Sequence, residues 1–280
     1  MTDENKQSKS QRQPGHFRGG KGKPGHNGPR RFASNAPAER RPDQLWIYGI
    51  HAVAAVLGNP RRKVLQLLAT QNAASRLVEE GATLPGDLKD TSPRDLDRLL
   101  GSDAVHQGAA VEVAPLKPLD LDALGDARLV VVLDQVTDPH NVGAILRSAV
   151  AFGADALITT GRHAPAETGV LAKSASGALE NIAMIEVPNL ATALTDLRDM
   201  GYSCVGLDSE GTVPLEEGIR GDKIALVLGA EGKGLRRLTR DRCDVVARLD
   251  MPGAIKSLNV SNAAVLSLYL AHRHLETATA

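Results

Sequence analysis

The sequence predicts an α/β protein: a mostly parallel sheet with helices on both faces, preceded by a small α/β module and a disordered basic tail. Three observations predict it. From Arg128 onward, short apolar runs alternate with helix-patterned stretches, the rhythm of a parallel sheet covered on both sides. Between Leu45 and Pro115 a shorter series of the same kind appears. Residues 1–43 hold mostly Gly, Pro, Gln, Asn, Arg and Lys, with too few large apolar side chains to offset the entropy of an ordered chain.

At 280 residues and 42% hydrophobic content the chain can bury a sizeable core, and its length fits two domains and a tail. The longest apolar runs, "ARLVVVL" and "AAVLSLYLA", fall well short of the ~20 residues that cross a bilayer, and the N-terminus has no apolar signal core. A soluble, cytoplasmic protein with no membrane partner is expected. Cys204 and Cys243 lie in or beside strand-like runs, which favours buried free thiols over a disulfide, and no metal site is implied. Formal net charge is zero, yet residues 1–43 carry ten Lys and Arg against four Asp and Glu, leaving 23 against 29 in the remainder. The tail reads either as a basic arm that holds RNA phosphates through counterion release or as a solubilising extension.

Leu45 to Tyr48 reads as a strand, and His51 to Leu57 as a short helix halted by Gly58, Asn59 and Pro60. "VLQLLAT" reads as a second strand. Thr91 or Ser92 caps a helix with Pro93 in its first turn, running to Leu100, before "HQGAAVEVAP" returns as a strand. Residues 44–117 are thus the predicted small domain, "LKPLDLDALGDA" a linker, and residues 126–276 the main domain. There "LVVVLD", "ALITT", "IAMIEV", "SCVGLD", "IALVLG" and "VVARLD" are the strand candidates. Ligands of such sheets sit beyond the carboxyl ends of the strands, so the loops there carry the functional reading.

Three of those loops hold more polar chemistry than a connection needs. In "LDQVTDPHNVGAILRSAVAFGA", Asp138 and Asn141 are both good helix caps, and Val142, Ile145, Leu146, Ala149 and Val150 share the buried arc of the helix that follows. Arg147 falls on the opposite arc, as an ordinary surface arginine or as one aimed at phosphate or ribose. In "LVLGAEGKGLRRL", Gly229, Gly232 and Gly234 serve a tight turn or let the backbone approach a ligand. The spacing matches neither GxGxxG nor a P-loop, which disfavours a nucleotide-dependent oxidoreductase. In "LDMPGAIKSLNVSNAAVLSLYLAHRHL", Ser257, Asn259, Ser261 and Asn262 crowd the start of an apolar helix that needs a single cap. The surplus points to hydrogen bonds with something other than the backbone.

Taken in order, these three stretches resemble the signature motifs of the SpoU/TrmH RNA ribose 2'-O-methyltransferases of the SPOUT superfamily. "IYGIHAVAAVL" and "HQGAAVEV" are similar to the small substrate-binding domain of the 23S rRNA guanosine-2'-O-methyltransferase subgroup, and the resemblance runs from about Tyr48 to Leu275. It implies a parallel-sheet domain tied in a trefoil knot, a rare exception to unknotted topology, and a homodimer with S-adenosylmethionine (AdoMet) held by the knot loops at the subunit interface. By motif position the cofactor's backbone contacts fall on Gly229, Leu249 and Leu258, and the catalytic set on Asn141, Arg147, Glu231, Ser257 and Asn259. The sequence departs from the family in one place: Leu249, Asp250 and Met251 stand where Ile-Pro-Met is common, with Pro252 shifted onward, so the cofactor loop is expected to bend differently.

The implied reaction is methyl transfer to a ribose 2'-hydroxyl of RNA, most directly a guanosine of 23S rRNA. Oxygen, methyl carbon and sulfonium sulfur must lie in line, and such positioning can supply ~7–11 kcal/mol of the barrier. Asn141 and Arg147 would hold the ribose-phosphate, while Glu231, Ser257 and Asn259 orient substrate and cofactor. The family assigns the matching arginine to activation of the hydroxyl. A guanidinium pKa above ~12 makes a clamp that stabilises the developing alkoxide the better role. Lys173 and "SASGALEN" fit the family pattern too, although a plain connection reads equally well, and Arg61, Arg62 and Lys63 are candidates for the RNA-facing surface or a solvated charge run. With 2% aromatic residues, RNA recognition by shape and phosphate is expected over base stacking. The alternatives are the same reaction on tRNA and a non-catalytic RNA-binding or ribosome-assembly factor.

Overall fold

The computed structural model describes residues 45–162 and 166–279. The tail expected to be disordered, residues 1–43, lies outside them. A four-stranded sheet comprises β1 (Leu45–Tyr48), β2 (Val64–Ala69), β3 (Lys89–Asp90) and β4 (Ala109–Val113), in the order β1-β4-β2-β3. β4 runs antiparallel to both β1 and β2. Helix α1 (Ile50–Gly58) buries Ile50, Ala52, Val53 and Val56. Helix α3 (Pro93–Leu100) starts at Ser92, whose hydroxyl accepts the Asp95 N–H at 3.3 Å. Between β2 and β3 runs α2 (Gln71–Glu79), which the sequence reading passed over: only Ala73 and Leu77 are buried, and the helix depends on the Thr70 cap.

The second sheet has seven strands, all parallel: β5 (Leu129–Asp134), β6 (Ala156–Thr160), β7 (Ala183–Val187), β8 (Ser203–Leu207), β9 (Val213–Pro214), β10 (Ile224–Gly229) and β11 (Val245–Arg248). Their order is β7-β6-β5-β10-β8-β11-β9. Around them lie α4 (Pro139–Ala151), α5 (Gly169–Ala175), α6 (Leu190–Asp199), α7 (Leu215–Gly218), α8 (Arg237–Arg240) and α9 (Val260–Thr279). Alternation along the strands divides the core in two. Leu129, Val131 and Leu133 of β5 join the cluster under α4, α9 and α1, while Val130 and Val132 join the one under α6. Every β5 residue is buried, which is why the run reads as continuously apolar.

No helix among the described residues is long and apolar enough to cross a membrane. Cys204 and Cys243 are both free, and burial, reinforced by the Asp244 carboxylate, pushes each thiol up to about 12.

Two readings need correction. The stretch read as a linker is structured: Leu119 bridges to Ile185 beside β7, and a short 3-10 turn over Leu121–Leu124 buries Leu124. Its apolar leucines, spaced by prolines and aspartates, pack along the sheet edge. The Arg61–Lys63 run is no uniform charged surface. Arg61 and Lys63 are exposed, but Arg62 is only 6% exposed and pairs with Glu167 at 2.6 Å and Glu180 at 2.5 Å. A buried guanidinium needs partners of opposite charge, and local sequence does not show carboxylates more than 100 residues away.

Candidate active site

β10 is inserted between β5 and β8, and β11 lies on the far side of β8. The loops after β10 and β11, together with the start of α9, enclose a cleft of about 560 Å³ lined in part by Gly229, Glu231, Leu249, Met251, Ser257 and Leu258. The chain reaches this shape through the turn at its rim. Gly232 and Gly234 have φ of 73° and 61°, a bridge joins Ala230 to Gly234, and a Cβ at Gly229 would strike the Gly234 backbone. These glycines are demanded by a tight turn, and the outside of that turn is a cleft wall.

Neighbouring strands brace the turn from both sides. Asp134, fully buried at the end of β5, accepts the Arg236 N–H at 3.0 Å and its Nε–H at 2.6 Å. Asp208, just past β8, accepts from Nη1 of Arg240 at 3.3 Å. Both arginines flank or belong to α8, so that helix is tied across the ends of β5 and β8. Sequence reading missed this pair of aspartates; the signal was a carboxylate closing each of the apolar runs "LVVVLD" and "SCVGLD".

At the mouth of the cleft the three polar loops converge. Asp138 caps α4 by accepting from the N–H groups of His140 and Asn141, which leaves the Asn141 side chain free. Its amide donates to Glu231 Oε1 at 3.3 Å and accepts at Oδ1 from Asn259 Nδ2 at 3.1 Å. The same Glu231 oxygen accepts the Val260 N–H at 3.4 Å, placing a carboxylate against the N-terminus of α9 where the helix dipole favours it. Asn259 in turn accepts from Ser261 N–H and Oγ–H at 2.8 and 2.6 Å. Ser257 lines the cleft and is exposed, with no hydrogen bond to the described residues. In the departing loop, Asp250 turns outward to Arg248 at 2.9 Å while Leu249 and Met251 line the cleft.

Arg147 stands apart. It is exposed on the outer arc of α4, six residues beyond Asn141 and so ~9 Å further along the helix. It borders a separate groove of about 600 Å³ between α1 and α4, which His51, Glu80 and Ser176 also line. Within one chain the structure joins Asn141, Glu231 and Asn259 at the cleft mouth and leaves Arg147 outside it.

A parallel sheet that gathers three polar loops over its carboxyl edge defines an α/β enzyme with a small-molecule cleft. Residues 128–269 match the model of the SpoU rRNA Methylase family, and residues 46–119 match that for RNA 2'-O ribose methyltransferase substrate binding. The chain is 40% identical over 240 residues to a 23S rRNA (guanosine-2'-O-)-methyltransferase of Xylella fastidiosa, covering 81% of this chain and 96% of the relative. A namesake from Coxiella burnetii is 38% identical over 242 residues, covering 82% and 96%. Among solved structures, the SpoU methyltransferase AviRb of Streptomyces viridochromogenes in complex with AdoMet superimposes with a TM-score of 0.69 at 26% identity, covering 83% of this chain and 90% of that one. The chain belongs to the SpoU rRNA methylase family.

Proposed function

We propose that this protein transfers the methyl group of AdoMet to the 2'-hydroxyl of a guanosine ribose in 23S rRNA. The observation that carries the reading is the hydrogen-bonded junction of Asn141, Glu231 and Asn259, which ties three separate loops together at the mouth of one cleft. The cleft suits the donor. Its volume lies within the usual range for small-molecule sites. Apolar Leu228, Leu249 and Leu258 offer faces for a purine, and the carboxylates of Asp208 and Glu210 offer acceptors for hydroxyl and ammonium groups. Gly229, Leu249 and Leu258 would hold AdoMet, which when bound supplies an electrophilic methyl group on a sulfonium.

The chain's own task is then positioning and electrostatics. Asn141 and Asn259 present amides toward the substrate ribose, Glu231 fixes Asn141 and anchors α9, Asn141 in turn holds Asn259, and the exposed Ser257 hydroxyl offers a further hydrogen bond inside the cleft. Arg147 is the clamp for the ribose-phosphate and stabilises the alkoxide as it develops. Its place outside the cleft of its own chain supports a homodimer in which a second copy completes the site. So does the outer face of α9, where Val265, Leu266 and Tyr269 are 36%, 46% and 47% exposed. The insertion of β10 between β5 and β8, with α9 packed on α4, fits a knotted carboxyl end. Residues 44–117 serve as the RNA-binding domain and 126–276 as the knotted catalytic domain, acting in the cytoplasm where ribosomal RNA is found.

The test is transfer of labelled methyl from AdoMet to unmodified 23S rRNA and to bulk tRNA in parallel, with 2'-O-methyl positions mapped. Label on a ribosomal guanosine is expected. Label confined to tRNA, or none on either RNA, would overturn the assignment.

A further inference from the structure

Residues 167–180, which include most of the "SASGALEN" motif, touch the small domain at β1, at α1 and at the loops that follow α1 and precede β4. Gly169 lies so close to β1 that a Cβ there would sit 2.6 Å from the Trp46 carbonyl oxygen. Lys173 Nζ donates to Gln107 Oε1 at 3.0 Å, and that same oxygen accepts the Ile50 N–H at the start of α1. Gly177, with φ of 90°, brings its backbone against α1, where a Cβ would meet Ala55 at 2.9 Å and the His51 oxygen at 3.1 Å. Glu180 is 8% exposed and accepts from Asn59 Nδ2 at 2.7 Å and from Nε of Arg62 at 3.1 Å. Glu167 pairs with Arg62 and accepts the Leu116 N–H at 2.9 Å, and Arg62 also donates to the Ala114 carbonyl at 3.1 Å.

A strand connection needs none of this. The segment presents small residues where the backbones of β1 and α1 must approach, and carboxylates where the loop after α1 offers a guanidinium and an amide. A buried charge with one partner removed is costly, so the Arg62, Glu167 and Glu180 cluster tolerates a single relative placement of the two sheets. That placement also builds the groove between α1 and α4: His51 and Ala55 form one wall, Ser176 and Arg147 the other.

We propose that residues 167–180 are a docking seat that fixes the RNA-binding module on the catalytic sheet, so that the module acts as a rigid ruler selecting which ribose reaches the cleft. Arg62 and Glu180 are positioning residues; they touch neither cofactor nor the cleft. The proposal rests on the reading of residues 44–117 as RNA-binding.

The test pairs a loosened seat with a locked one. Arg62→Met combined with Glu167→Gln and Glu180→Leu removes all three charges of the cluster together, an exchange that buried ion clusters often tolerate without loss of stability. With wild-type AdoMet affinity and melting temperature, this variant is expected to lose about 10²-fold in kcat/KM on 23S rRNA, the scale of a small misplacement of substrate, and to spread methylation onto neighbouring riboses. Damage to the fold would lower methylation without moving it. In the locked form, Gln107→Cys and Lys173→Cys are joined by a short bis-maleimide, the native thiols being suppressed by burial. It is expected to keep wild-type site selection and most of its turnover. A loosened enzyme with the wild-type rate and a single mapped site, or a locked enzyme that binds AdoMet but no longer methylates RNA, overturns the ruler. A wild-type enzyme inactive on 23S rRNA defeats the functional reading instead, and protection of residues 167–180 from amide exchange then tests the seat alone.

Discussion

Two arginines of this chain look alike in sequence and do opposite things. Arg147 sits on the polar arc of a helix and is exposed; Arg62 sits in a basic run beside a turn and is buried. Helical periodicity located Arg147, because an amphipathic helix reports which arc faces the core. It could not locate Arg62, since the partner Glu180 lies 118 residues away and a run of Arg and Lys is locally indistinguishable from a solvated patch. The exposed guanidinium of Arg147 carries a prediction. Arg147→Ala should lower kcat about 10²–10³-fold, the usual effect of removing one donor to a developing oxyanion. AdoMet affinity, measured by calorimetry, should stay within about twofold, because Arg147 does not line the cleft. Turnover equal to wild type would remove Arg147 from the reaction.

At the scale of elements, the sheet was legible because its strands are buried on both faces, so "LVVVLD", "ALITT" and "IALVLG" stand out from the polar helices between them. Helix α2 was not, since "QNAASRLVE" is polar on average and buries only two side chains. The three loops were legible as excess polarity; their meeting at one cleft was not, because the strand order that inserts β10 beside β5 is a property of the fold. The start of α4 shows how a cap serves a site. Asp138 takes the two exposed N–H groups at 3.3 and 3.2 Å, freeing Asn141 to reach Glu231 and Asn259. Asp138→Ala should therefore cost about 1 kcal/mol in urea unfolding, typical of a lost N-cap, and lower kcat several-fold as Asn141 is drawn toward the uncapped N–H groups. Asp138→Ser, which retains an acceptor, should recover most of both. A kcat insensitive to the cap would show that Asn141 is held by Glu231 and Asn259 alone.

For the whole molecule, the neutral net charge conceals a division of labour. Residues 1–43 hold ten basic against four acidic side chains, while the remainder holds 23 against 29. An acidic body repels RNA at long range, and with 2% aromatic residues it has few stacking platforms to compensate. Attraction must then come from local basic groups such as Arg61, Lys63 and Arg147, or from the tail. The two sources differ in their dependence on salt, since each phosphate neutralised contributes about −0.7 to the slope of log K against log salt on single strands and about −0.9 on duplex. Deleting residues 1–41 removes all ten basic side chains of the tail. If the tail engages phosphate, the truncated protein should bind 23S rRNA more weakly at low salt, show a shallower slope, and converge with the full chain at high salt. If selection belongs to the docked module, the truncated protein's site of methylation should stay the same. An unchanged slope would assign the whole electrostatic attraction to the folded surface and leave the tail no part in holding RNA.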